Sequence, residues 1–195
     1  MKNLDTIRYF GLNNLSIESE VLKIEDEYDV DLGHRRSRSD ASNNAYYPQF
    51  VQRLRDEAES MAGHYAVFYC LENSIREIVL DRLEEVHGEN WWDEDGVIPE
   101  VVKKNAEGNR KKELGTGVTP RSDELLDYSN FGELGEIIKS NWDVFGDMFR
   151  DKRAVERIMS NLNTLRAPIA HCKALAEDEV VRLDLGLRDW FRQMS

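Results

Sequence analysis

The chain has 195 residues, 41% of them hydrophobic and 33% charged, and its 38 acidic against 26 basic side chains give a formal net charge of −12. This length allows one sizeable hydrophobic core with an extension. Cys70 and Cys172 are far apart in the sequence, which indicates neither a disulfide scaffold nor a zinc knuckle. The acidic excess argues against a protein that coats nucleic acid by bulk charge, because Lys and Arg make phosphate contacts.

The N-terminal part, residues 1–44, is predicted to be an acidic arm followed by a linker. Residues 1–32 carry eight acidic and three basic side chains, and residues 34–45 lack apolar periodicity. Partial alternation around Ile24 and Tyr28 leaves a short strand or a partner-binding segment as alternatives to a solvated arm. No apolar run approaches the ~20 residues of a membrane span, and no signal peptide begins the chain, so a soluble cytoplasmic protein without membrane contact is expected.

Residues 45–195 are predicted to form one helical domain. Apolar residues there recur at steps of three and four, as they do on the buried face of a helix. Strand-like segments are nearly absent from this part of the sequence, so the fold class is all-α, a helical bundle. The predicted helices run from about residue 57 or 61 to His87, from Ile98 or Pro99 to about Glu113, from Phe131 to Phe149, from Val155 to a break near Pro168, and from Glu177 to Phe191.

Metal and cofactor chemistry is not predicted. The four histidines, His34, His64, His87 and His171, are scattered, and no HExxH or EF-hand loop is present. Glu84 and His87 form one Glu-x-x-His pair, whereas a di-iron bundle needs two. We therefore expect neither a metal nor a cofactor.

An Arg and a His five positions apart, Arg166 and His171, are the candidate catalytic pair. A histidine titrating near neutrality can move the proton of a ribose 2′-hydroxyl, and a guanidinium can hold the scissile phosphate. Such a site cuts RNA and not DNA. Pro168 is predicted to interrupt the helix so that the two side chains converge. The alternative is a helix-terminal histidine and a surface charge.

Arg82 and His87 have the same spacing. They lie within an unbroken helical pattern, where five steps of 100° place two side chains about 140° apart. This second pair is therefore interpreted as ordinary surface charge.

Two segments, FYCLENSIREIVLDRLEEVHGENWW in the first long helix and LNTLRAPIAH at the end of the penultimate helix, resemble the HEPN superfamily and within it the Swt1-like HEPN domains. The resemblance covers about residues 60–193. It implies an up-and-down bundle of four to five helices, here with an irregular N-terminal extension. It also implies a homodimer that brings two Arg-x4–6-His motifs into one cleft, with Arg166 and His171 matching the motif.

The resemblance further implies a metal-independent endoribonuclease that leaves a cyclic phosphate end. Such domains occur in toxin–antitoxin, phage-defence and RNA-processing proteins, so RNA is the expected substrate and an antitoxin or sensor protein an expected partner. The position after the motif Arg, often Asn, Asp or His in active members, is Ala167 here. Some members have lost catalysis, and the alternative function is therefore a non-catalytic module for dimerisation and partner binding.

Two further groups of residues are candidates for the site. Glu72, Asn73 and Arg76 would line the cleft or the dimer seam, although an intrahelical Glu72–Arg76 pair is the simpler explanation. Either of two basic clusters could guide the RNA backbone, although basic runs are usually only solvated. One is the basic run Arg35, Arg36 and Arg38 in the linker. The better candidate, called the basic cluster below, consists of Lys103, Lys104, Arg110, Lys111 and Lys112. Trp91 and Trp92 are interpreted as core anchors, because the acidic run that follows them would repel phosphates.

Overall fold

The computed structural model describes residues 21, 23, 24, 28 and 46–194. Most of the predicted arm and linker, including the basic run Arg35, Arg36 and Arg38, therefore lies outside the described residues. The four described positions before residue 46 are helical, which contradicts the alternative of a short strand around Ile24 and Tyr28. The chain divides after residue 52 into two units, which are described separately. In the first, Tyr47–Gln49 form a 3-10 turn in which the Tyr47 ring meets Phe50 edge to face.

Six α-helices make up the described part of the chain after residue 51, and no strand occurs in this part. The predicted all-α class is confirmed. The helices are α1 (Gln52–His87), α2 (Glu100–Leu114), α3 (Phe131–Ser140), α4 (Trp142–Phe145), α5 (Lys152–Ala170) and α6 (Glu177–Gln193).

Helix α1 supplies one apolar stripe to the core. Its buried residues recur at steps of three and four, so they share one face of the helix. The stripe consists of Phe68, Leu71, Ile75, Val79 and Leu83. Gly88 follows with a φ of +78°, and its N–H bonds to the Glu84 carbonyl, as expected for a glycine that ends a helix. The predicted end of α1 is confirmed, whereas α1 begins earlier than predicted, at Gln52.

The connection from α1 to α2 is held by tryptophans. Trp91 and Trp92 are buried and meet edge to face, with ring centroids 5.5 Å apart. Their interpretation as core anchors is confirmed, because a buried ring cannot stack on a nucleobase.

The predicted third helix is broken at Asn141. The Asn141 backbone leaves the helical region, with φ −109° and ψ 41°, and separates α3 from the single turn α4. Its buried side chain donates to the carbonyls of Val97, at 2.8 Å, and Ile137, at 2.9 Å. Asn141 thus ties the end of α3 to the connection before α2. Helix α3 itself begins with a capping box in which Asn130 and Glu133 satisfy each other's backbone N–H groups.

Helix α5 continues through Pro168, and the predicted break near this residue is wrong. A proline removes only one backbone donor, and the helix has less than one further turn to form after it. The N–H of His171 bonds to the Ala167 carbonyl at 3.0 Å, so the hydrogen-bond ladder resumes beyond the proline. Helix α5 packs against α3 and α6.

None of the helices within the described residues combines the length and the apolar composition that a membrane span requires. The cytoplasmic location stays a prediction.

Asn141→Ala should lower the free energy of unfolding by about 2 kcal/mol, because the Val97 carbonyl loses a buried donor and the Ile137 carbonyl loses one of its two donors. Urea denaturation followed by circular dichroism measures the loss. Asn161→Ala, at an exposed position of α5, is the matched control and should change stability by less than about 0.5 kcal/mol. Equal stabilities of the two variants would contradict the structural role of Asn141.

Candidate functional site

Arg166 joins the end of α5 to α1. Its Nε donates to Glu72 Oε2 at 2.8 Å, across 94 positions of the sequence. The Arg166 side chain is 32% exposed and the Glu72 side chain 17%. The terminal amino groups of Arg166 make no further hydrogen bond within the described residues, so they are available to a ligand.

The Glu72 carboxylate also pairs with Arg76. Arg76 Nη2 donates to Glu72 Oε1 at 3.1 Å and to the Ser129 carbonyl at 3.3 Å, while Nη1 donates to Asn73 Oδ1 at 3.0 Å. Each Glu72 oxygen therefore faces a different guanidinium. The intrahelical Glu72–Arg76 pair predicted as the simpler explanation is present, and the same residues line a groove.

This groove lies beside α1 and the end of α5 and has a volume of about 470 Å³. Arg166, Glu72, Asn73 and Arg76 all line it. Its remaining lining residues are Tyr65, Phe68, Tyr69, Arg121, Asp127, Ile169 and Ala170. Three arginines therefore face two carboxylates, which makes the groove locally cationic on a strongly acidic chain.

Arg121 is a groove residue that the sequence did not point to. It lies in the loop after α2, where its Nε donates to Glu113 Oε2 at 2.7 Å and its backbone N–H to Glu113 Oε1 at 2.6 Å. These hydrogen bonds from Arg121 lower the pKa of Glu113 below its usual range. The Arg121 guanidinium also lies over the Tyr128 ring, 5.0 Å from its centroid. The loop arginine is thus fixed in place beside the groove.

His171 does not line this groove. It caps the C-terminal end of α5 and is exposed. Because α5 is continuous to Ala170, Arg166 and His171 are separated by five helical steps, about 140° around the axis. The predicted convergence of the two side chains within one chain is therefore wrong. An unbroken helix places residues five positions apart on different sides, as was argued for Arg82 and His87.

Arg82, in that second pair, has a structural role. Its Nη2 donates to the Val144 carbonyl at 2.9 Å and to Asp147 Oδ1 at 3.0 Å, which links α1 to α4 and the turn after it. His87 contacts Glu94 instead, at 3.2 Å. The sequence analysis interpreted Arg82 as ordinary surface charge, whereas in the structure it connects two elements of the fold.

The basic cluster on α2 is only partly connected to the groove. Lys112 lines a recess together with Glu113 and Arg121, and Arg121 belongs to both the recess and the groove. Lys103 donates instead to the Glu94 carbonyl at 3.3 Å. Lys104 is 3.9 Å from Glu100. Neither Arg110 nor Lys111 lines the groove.

Comparison with known protein families places most of the chain in one family model. A family model described as Swt1-like HEPN matches residues 66–195, which is more than half of the chain. This match includes Glu72, Arg166 and His171, and it confirms the resemblance seen in the sequence. The searches of curated proteins and of solved structures returned no significant match.

The two arginines on Glu72 should differ in their effect on stability. Arg76→Ala should lower the free energy of unfolding by about 2 to 3 kcal/mol, because it removes donors from Glu72, Asn73 and the Ser129 carbonyl. Arg166→Ala should cost less than about 1 kcal/mol, since Glu72 keeps Arg76 as a partner. Urea denaturation of both variants tests this, and equal losses would contradict it.

Proposed function

The chain belongs to the Swt1-like HEPN family, and from this premise we propose that it is a metal-independent endoribonuclease that acts as a homodimer. The observation that carries the proposal is Arg166. Its guanidinium is anchored at Nε by Glu72, while its terminal amino groups have no other partner within the described residues, beside a groove of nucleotide size. A guanidinium held in this way suits a phosphate, which it can bind with two parallel hydrogen bonds.

The proposed reaction is attack by the substrate's own 2′-hydroxyl. His171 takes the 2′-hydroxyl proton as the O2′–P bond forms, and the P–O5′ bond breaks. The leaving 5′-oxygen takes a proton from water, and the imidazolium of His171 returns its proton to the solvent, which gives a 2′,3′-cyclic phosphate and a 5′-hydroxyl end. Arg166 stabilises the negative charge that develops on the phosphate oxygens.

A dimer can bring an arginine and a histidine to the same phosphate, which one chain does not do. Arg166 and His171 lie on different sides of α5, so one chain does not place them around the same phosphate. In the proposed homodimer, His171 of the second copy faces Arg166 of the first, and the two-fold axis generates two equivalent pairs. Arg121, which lines the groove, and Lys112, which lines a recess together with Arg121, are proposed to contact the RNA backbone.

His171→Ala should reduce cleavage of single-stranded RNA by at least about a hundredfold, because the proton-transfer group is lost. Helical content measured by circular dichroism should not change, since the His171 side chain is exposed. The assay follows labelled RNA and tests the product ends for cyclic phosphate, and EDTA should leave the rate unchanged. His64→Ala, on α1 and outside the groove, is the control. Undiminished cleavage by His171→Ala would remove this residue from the mechanism.

Mixing two inactive variants tests the shared site. If Arg166 and His171 act from different chains, a dimer of one Arg166→Ala chain and one His171→Ala chain holds one intact pair. With free exchange about half of the dimers are mixed, so about one quarter of the wild-type rate should return. Each variant alone should stay inactive. If the mixture is as inactive as its components, the pair does not act across the dimer.

A non-catalytic HEPN module is the second candidate function, and Ala167 favours it. The methyl group of Ala167 is exposed next to Arg166 and offers no hydrogen bond to a substrate. In this case the chain would bind a partner protein without cutting RNA. Expression in cells separates the two functions: toxicity relieved by Arg166→Ala or His171→Ala supports a nuclease held in check by an antitoxin or sensor protein, and unaltered growth supports the module.

A further inference from the structure

Two tyrosines one helical turn apart stand at the edge of the groove. Tyr65 and Tyr69 are 59% and 60% exposed, and both line the groove that contains Arg166. Their ring centroids are 6.3 Å apart and their planes are inclined by 36°. Large aromatic rings are usually buried at least in part, because burial removes a large apolar area from water and this is favourable. Two exposed rings beside a cationic groove are a surface on which a planar group can stack.

The groove offers hydrogen-bond donors next to these rings. Arg166 keeps its terminal amino groups unused within the described residues, and Arg121, although it binds Glu113, is 56% exposed. Arg76 differs, since it is 14% exposed and donates to Glu72, Asn73 and the Ser129 carbonyl. Arg76 therefore forms the wall of the groove, and the other two arginines are placed to meet an anion.

The groove also has an apolar floor. Phe68 and Ile169 are buried beneath it, and the Phe68 ring packs edge to face on Phe131. A pocket of about 470 Å³ lies within the range of roughly 300 to 1,000 Å³ that small-molecule sites occupy. The groove therefore has an aromatic rim, an apolar floor and two accessible guanidinium groups. These features match a nucleotide, which has a planar base and an anionic phosphate.

We propose that this groove binds one unstacked nucleotide of single-stranded RNA, with the base on Tyr65 and Tyr69 and the adjoining phosphate at Arg166 and Arg121. This proposal deepens the nuclease function and rests on it for the identity of the strand. The site requires an unpaired base, because a base within a duplex has both faces covered by its neighbours and cannot reach the rings.

Stacking supplies most of the affinity in this site. Three arginines against two carboxylates give the groove an excess of only one positive charge, and the whole chain carries −12. Few counterions are released when one or two phosphates bind. The binding constant should therefore depend weakly on salt, with a slope of roughly −0.7 per contacted phosphate in a plot of log K against log salt.

The test measures binding apart from cleavage. A fluorescein-labelled 2′-O-methyl RNA oligonucleotide has no free 2′-hydroxyl and stays intact, and fluorescence anisotropy gives its Kd. Substitution of Tyr65 and Tyr69 together by Ala should raise this Kd about tenfold or more, and substitution of both by Phe should leave it nearly unchanged, because stacking uses the ring face. Phe191→Ala, which removes an exposed ring on α6, is the matched control. The same oligonucleotide annealed to its complement should bind weakly and equally to all variants.

Several results would overturn the proposal. These are an unchanged Kd in the double Ala variant, an equal loss with Phe, an equal loss for the duplex, or no binding of the single strand by the wild type. Analytical ultracentrifugation provides a further test. A shift from dimer to monomer in the double Ala variant would overturn the proposal, because the tyrosines would then form a contact between two copies of the chain. The two proposals can fail separately. Binding of the single strand by the wild type without any cleavage of unmodified RNA would remove the nuclease and keep the tyrosine site, whereas cleavage with an unchanged Kd in the double Ala variant would keep the nuclease and remove the tyrosine site.

Discussion

The Glu72 carboxylate, held between two guanidinium groups, is the interaction on which the site depends. One oxygen accepts from Arg76 on the same helix and the other from Arg166 on α5. Removing one arginine leaves the carboxylate with a partner, whereas removing Glu72 would leave two partly buried cations close together without their shared anion. The carboxylate therefore fixes the position of Arg166 relative to α1, and with it the width of the groove.

Arg76 and Arg166 have different roles because their side chains are buried to different extents. Arg76 is nearly enclosed and its donors are used by Glu72, Asn73 and the backbone before α3. Arg166 is more exposed and uses one nitrogen. Two residues of the same type on the same carboxylate thus have different roles, one in joining helices and the other in contacting a ligand. Sequence position does not reveal this difference.

Local patterns predicted much of the fold. The apolar stripe of α1 and the stop at Gly88 depend on near neighbours in the chain. Both are confirmed, although Val67 and Val86 at the ends of the predicted stripe are exposed. The break at Asn141 was not predictable, because it depends on a hydrogen bond to Val97, which is 44 positions away. The Glu72–Arg76 pair follows from i,i+4 spacing, whereas the Glu72–Arg166 pair needs the packing of α5 beside α1. Arg121 was missed for the same reason, since only the folded loop brings it to the groove.

Pro168 gives the end of α5 an uneven local stability. The proline nitrogen carries no hydrogen, so the helical ladder lacks the rung that would end on the Thr164 carbonyl, two residues before Arg166. Arg166 is anchored from the side by Glu72, whereas the turn at His171, where Cys172 enters the left-handed region, is closed by backbone hydrogen bonds and has no such side-chain anchor within the described residues. Opening of the last turn then costs less than opening of the turn before it. Amide hydrogen exchange is consequently expected to be faster around His171 than around Arg166, which leaves the histidine free to adjust to a substrate while the arginine keeps its place.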